Sequence, residues 1–80
     1  MLYANDIMKK LVKLRRELHF IRTVREFEIT GRKYEWLGFV ERSVVFGKDN
    51  EPDIVDVLRE TIAYQLQAKI NYFEKQLSIL

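Results

Sequence analysis

The residues able to do chemistry are few, and the question of function starts with them. The chain has no cysteine, a single histidine, His19, and two serines, Ser43 and Ser78. A nucleophile needs an activating base and usually an acid that orients the base. Zinc and the softer metals need thiolate or imidazole ligands. Neither set can be assembled from these residues, so the expectation is a non-enzymatic protein with no cofactor and no metal. His19 falls in the last turn of an apolar-periodic helix, off its apolar stripe, where the helix dipole favours a cation. It is therefore read as a capping or interface side chain.

The acids come next. In "FEITGRKYEW", Phe27 to Trp36, an even-sized turn at Gly31-Arg32 pairs Ile29 with Tyr34 and Phe27 with Trp36. That register sets Glu28 opposite Glu35, with Glu26 two residues along the same face. Like charges in such positions repel. Relief is expected from an Arg or Lys of a neighbouring subunit, in preference to Mg²⁺ or a shared proton.

A Gly-Arg-Lys tip also raises the question of a phosphate cradle. Such cradles require a strand, a glycine-rich loop and a helix whose first amides face the phosphate. Here the loop leads from strand to strand and holds one glycine, so Gly31 is expected to serve the turn. Arg32 and Lys33 beside Tyr34 can still hold an anion if a second basic surface approaches. The first helix offers one: Lys9 and Arg16 project opposite its apolar stripe, Lys13 lies beside them, Arg22 flanks the stripe, and Arg25 follows. Lys9, Lys13, Arg16, Arg22, Arg25, Arg32, Lys33 and Tyr34 make up the expected partner-binding set.

These side chains need elements to position them. Asn5 or Asp6 can cap a helix over about 5–21, in which Ile7, Leu11, Leu14, Leu18 and Ile21 recur at spacings of four and three. Met8 and Val12 lie beside that stripe and mark a second contact surface. The pattern then alternates, giving strands over about 23–30 and 33–46, the second long enough to break near Gly38 or to yield a third short strand. One face collects Phe27, Ile29, Tyr34, Trp36, Val40, Val44 and Phe46. In "GKDNEPD", Asp49 or Asn50 is the expected cap of a last helix over about 51–79, with Pro52 in its first turn. The order αββα defines an α+β fold in one domain, 1–80.

The last helix carries Ile54, Leu58, Ile62, Leu66, Ile70, Phe73, Leu77 and Leu80, with Val57, Tyr64, Ala68 and Tyr72 as a second flank. At nearly 30 residues it extends about 40 Å, more than a hairpin and a shorter helix are expected to cover. Leu66, Ile70, Phe73, Leu77 and Leu80 are accordingly expected to pair between copies, coiled-coil fashion. Small size points the same way, because an 80-residue chain without disulfides or metal draws stability from association.

Charge narrows the partner. Residues 1–33 hold nine Lys or Arg against four acids, whereas residues 34–80 hold five against eight, so a net charge of +2 hides a basic half and an acidic half. No apolar run approaches the length of a membrane span and no leader pattern opens the sequence, so no membrane partner is expected. Absence of cysteine fits a cytoplasmic location. The expectation is a small homo-oligomer that sequesters or inhibits an acidic protein or a phosphorylated, nucleotide-type ligand. A regulator holding nucleic acid through phosphate contacts is the first alternative, although the element order matches no familiar DNA-binding module. A purely structural assembly subunit is the second.

Overall fold

The computed structural model describes residues 3–80. Four elements follow in the order α1 (Ala4–Thr23), β1 (Glu26–Glu35), β2 (Gly38–Gly47) and α2 (Pro52–Ser78), the αββα layout of an α+β fold.

Helix α1 begins earlier than its polar residues imply. The Tyr3 carbonyl accepts from the amides of Asp6 and Ile7 at 3.0 and 3.1 Å, and no side chain caps the end. Asn5 and Asp6 are therefore not the cap. Asp6 instead lies in the first turn, where its charge complements the positive end of the dipole. At the other end the Thr23 hydroxyl reaches back to the carbonyls of His19 and Phe20 at 3.1 and 3.2 Å, meeting acceptors of the last turn, and the chain becomes extended at Val24.

The hairpin differs most from its sequence reading. β1 and β2 are antiparallel strands of ten residues each, with Phe27 opposite Phe46, Ile29 opposite Val44, Gly31 opposite Arg42 and Glu35 opposite Gly38. The turn is thus Trp36-Leu37, five residues beyond Gly31-Arg32, and Gly38, at φ +141°, supplies the backbone conformation that the turn needs. Gly31 lies in mid-strand and is not at positive φ. Alternation explains the difference. Both turns contain an even number of residues, so both put odd residues of β1 with even residues of β2, and the period of two cannot tell them apart. Phe27, Ile29, Val40, Val44 and Phe46 do share one face, but Tyr34 belongs to the other, opposite Phe39. Cross-strand chemistry favours the observed register: Thr30 Oγ1 and Ser43 Oγ are 2.8 Å apart, and Arg32 Nη2 lies 3.4 Å from Glu41 Oε2. The described residues contain no third strand.

Helix α2 starts where the Gly47 carbonyl gathers the amides of Asn50 and Glu51 at 3.2 and 2.8 Å. The Glu51 carbonyl then accepts from Val55, the first helical bond, so Glu51 is the cap residue in place of Asp49 or Asn50, and Pro52 occupies the first helical position that suits it. Lys48 Nζ lies 3.6 Å from Asp56 Oδ1 and ties the connection to the helix.

The chain divides into two compact units. The helical unit comprises the residues up to Val24 with Leu58–Leu80, and the hairpin unit comprises Arg25–Val57. In the helical unit, α1 and the later part of α2 run antiparallel. The Arg59 guanidinium donates to the Val24 carbonyl at one end, and Arg15 Nη2 meets Glu74 Oε1 at 2.9 Å toward the other. Along the pair, Ile7, Leu11, Leu18 and Ile70 form a buried seam, with Leu14, Ala63, Leu66, Phe73 and Leu77 packed against it. The stripe of α1 is used as its spacing implies, packed on α2.

Of the residues expected to pair between copies, Ile70 is buried in this seam and Leu66, Phe73 and Leu77 pack half-buried against it. Their burial comes from α1 of the same chain, because a helix of 20 residues extends about 30 Å and so matches the stretch of α2 from Arg59 to Leu77. Leu80 stays 61% exposed. Met8, Val12, Phe20, Tyr64 and Tyr72 stay exposed. In the hairpin unit Val55 is fully buried, although it lies off the stripe that begins at Ile54. No helix among the described residues is long and apolar enough to cross a membrane.

Candidate anion-binding groove

The candidate groove lies within the helical unit. On α1, Lys10, Lys13, Leu14 and Glu17 recur every three or four residues and share one side of the helix; on α2, Gln65, Ala68, Lys69, Tyr72 and Phe73 do the same. Antiparallel packing brings the two rows together around an open groove of about 610 Å³. Leu14 and Ala68 line it with apolar surface. Three lysines, Lys10, Lys13 and Lys69, line it as well, with one acid, Glu17.

The aromatic pair shapes one end. Tyr72 and Phe73 meet edge to face, with centroids 5.2 Å apart and planes at 75°. Lys10 Nζ lies 5.3 Å from the Phe73 centroid, within range of a cation–π attraction. Lys13 Nζ is 3.9 Å from Glu17 Oε1, a loose pair with the lysine side chain 79% exposed, so its charge is little neutralised. Ammonium groups, a phenol and an apolar floor are complementary to a ligand with an anionic end and a flat or apolar body.

Of the expected partner-binding residues, only Lys13 lines this groove. Lys9, Arg16 and Arg22 are exposed elsewhere on α1. Arg25, Arg32, Lys33 and Tyr34 belong to the hairpin unit. Arg32 is engaged there: besides its pair with Glu41, its guanidinium carbon lies 4.6 Å from the centroid of Phe39, which itself meets Tyr34 at 5.9 Å. Lys33 lies on the opposite face of the hairpin, two residues from Gly31, whose cross-strand partner is Arg42. The expected tip of Gly31, Arg32 and Lys33 is therefore the middle of a strand, with its two cations on opposite faces.

The acidic trio is dispersed as well. Glu28 faces Val45 and Glu35 faces Gly38, so the repulsion inferred between Glu28 and Glu35 does not arise. No cluster of three metal-ligating side chains occurs among the described residues. His19 is exposed.

Lys10, Lys69 and Tyr72 are absent from the sequence-based set because a one-helix view cannot supply them. Lys10 stands between the basic face and the apolar stripe, and only the position of α2 decides that it borders a groove. The signal that existed was Tyr72, an aromatic on the second flank of α2, three residues from Lys69. No protein-family model, curated protein or solved structure matches the chain.

Proposed function

We propose that this chain is a small, non-enzymatic, self-associating binding protein that takes up an acidic or phosphorylated partner in the groove between α1 and α2, and acts by sequestering or inhibiting it. The observation that carries this reading is the convergence of Lys10, Lys13 and Lys69 around Leu14 and Ala68, with Glu17 as the single acid. Lysine is a compact charge on a flexible stem, suited to phosphate and carboxylate without demanding one geometry. Tyr72 adds a hydroxyl donor and an aromatic edge for the body of the ligand.

Self-association draws support from the hairpin. A two-stranded sheet is marginal on its own, and this one leaves Ile29, Val40, Val44 and Val45 between 41 and 50% exposed.

The test is a thermal-melting panel at low salt with pyrophosphate, nucleoside diphosphates and triphosphates, cyclic oligonucleotides and a Glu-rich peptide. A ligand at 100 times its Kd raises stability by about 2.7 kcal/mol, and K10E/K69E is expected to abolish that gain. Stabilisation that persists in K10E/K69E would contradict the groove. Binding to random-sequence duplex with a steep loss on adding salt would replace this reading with phosphate-backbone recognition of nucleic acid. A flat response to every compound would leave a structural subunit.

A further inference from the structure

The hairpin has two open edges, and they are chemically unlike. The Lys48 amide donates to the Arg25 carbonyl at 2.9 Å, which extends the ladder one step beyond Glu26 and Gly47. Peptide groups alternate sides along a strand, so odd-numbered residues of β1 turn theirs toward β2 and even-numbered ones turn theirs to the open edge. The outward set of β1 is Glu26, Glu28, Thr30, Arg32 and Tyr34. On β2 the outward set is Phe39, Glu41, Ser43, Val45 and Gly47, which contains no cation.

We infer that β1 pairs antiparallel with β1 of a second copy about a two-fold axis at Thr30, making a continuous four-stranded sheet. A symmetric antiparallel pair maps each residue onto one of the same parity, so outward peptide groups meet outward peptide groups along the whole seam. Centring on Thr30 places Glu28 opposite Arg32 of the second copy and Arg25 opposite Glu35 of the second copy, each twice by symmetry. Thr30 meets its own equivalent, a favourable cross-strand pair. Ile29 lies opposite Gly31 of the second copy, where an added Cβ would meet nothing within 4 Å, so a large side chain has room. Moving the axis to Ile29 keeps one complementary pair, Glu26 with Arg32, but sets Arg25 against Lys33 and leaves Glu28 opposite Thr30, a poorer match. The β2 edge cannot achieve it, since a symmetric pair joins residues of like parity and β2 carries only Glu41 in one set and only Arg42 in the other.

This seam rests on the self-association proposed above and specifies its surface; it does not involve the lysine groove, which lies in the other unit. Every residue named in the seam is exposed, and an open ten-residue edge is a template for pairing. Arg32 remains beside Glu41 and gains Glu28 of the second copy as a further carboxylate.

Sedimentation tests this with a charge exchange. E28R sets two cations against each other in both halves of the seam, and R32E sets two carboxylates there. Each variant alone is expected to dissociate, with a dissociation constant raised roughly thirtyfold or more. An equimolar mixture is expected to form a heterodimer, because both contacts then join a cation to a carboxylate. A second readout uses the absence of native cysteine: T30C at the axis brings Cα atoms to about 5.5 Å and oxidises to a dimer, whereas S43C, one strand away, does not. Wild type that stays monomeric at all concentrations would overturn both this seam and the self-association. Wild type that associates while E28R associates equally, or a mixture that fails to form heterodimer, would overturn the seam alone.

Discussion

Glu35 and Gly38 are cross-strand partners, which leaves Trp36 and Leu37 alone in the turn, 92% and 81% exposed. The turn therefore depends on a glycine that composition alone does not mark as a turn residue.

Gly38 and Gly31 should behave oppositely on substitution. At φ +141° any side chain at 38 is strained, and G38A is expected to cost about 1–3 kcal/mol. Gly31 has open space and no such φ, so G31A should stay within about 0.5 kcal/mol of wild type. Urea unfolding of both decides the order; a larger loss at Gly31 would restore the turn there.

Trp36 is the lone tryptophan and reports on the tip. Its emission should be that of a water-exposed indole, open to acrylamide and little changed on unfolding. A blue-shifted, shielded emission that moves red on unfolding would show the tip covered.

The helical seam is where stability is concentrated. I70A and L18A each empty a buried position and are expected to cost about 2–5 kcal/mol, a large share of the few kcal/mol that a domain this small holds. Y64A, on the exposed flank, should change little. Comparable losses at Tyr64 and Ile70 would show that the exposed flank is also packed.

Arg15 and Glu74 join the two helices across a surface, at 56% and 48% side-chain exposure. A double-mutant cycle on this pair should give below about 1 kcal/mol and weaken with salt. A larger, salt-insensitive coupling would mean that the pair is shielded.

Much of this architecture was legible in residue spacing. The stripe from Ile7 to Ile21, the switch to alternation after Val24, and Pro52 behind acidic residues place all four elements in order. Alternation, however, fixes parity and not position, and "GRK" resembles a turn more than "WLG" does. The excessive length of a strand over 33–46 was the available warning, and Thr30 with Ser43 and Arg32 with Glu41 were pairs awaiting the right register. The groove was less legible, since Lys10 and Lys69 come to line one groove only once α1 lies against α2. The same packing buries Ile70 and half-buries Leu77 against α1, contacts that a view of α2 by itself does not supply.

Whether the lysine groove receives an anionic ligand can be read residue by residue in an NMR titration. With a nucleoside diphosphate or pyrophosphate at low salt, we expect saturable shifts clustered at Lys10, Lys13, Lys69, Tyr72 and Phe73, lost in K10E/K69E. Shifts spread evenly over the basic surface, or none at millimolar ligand, would contradict the groove.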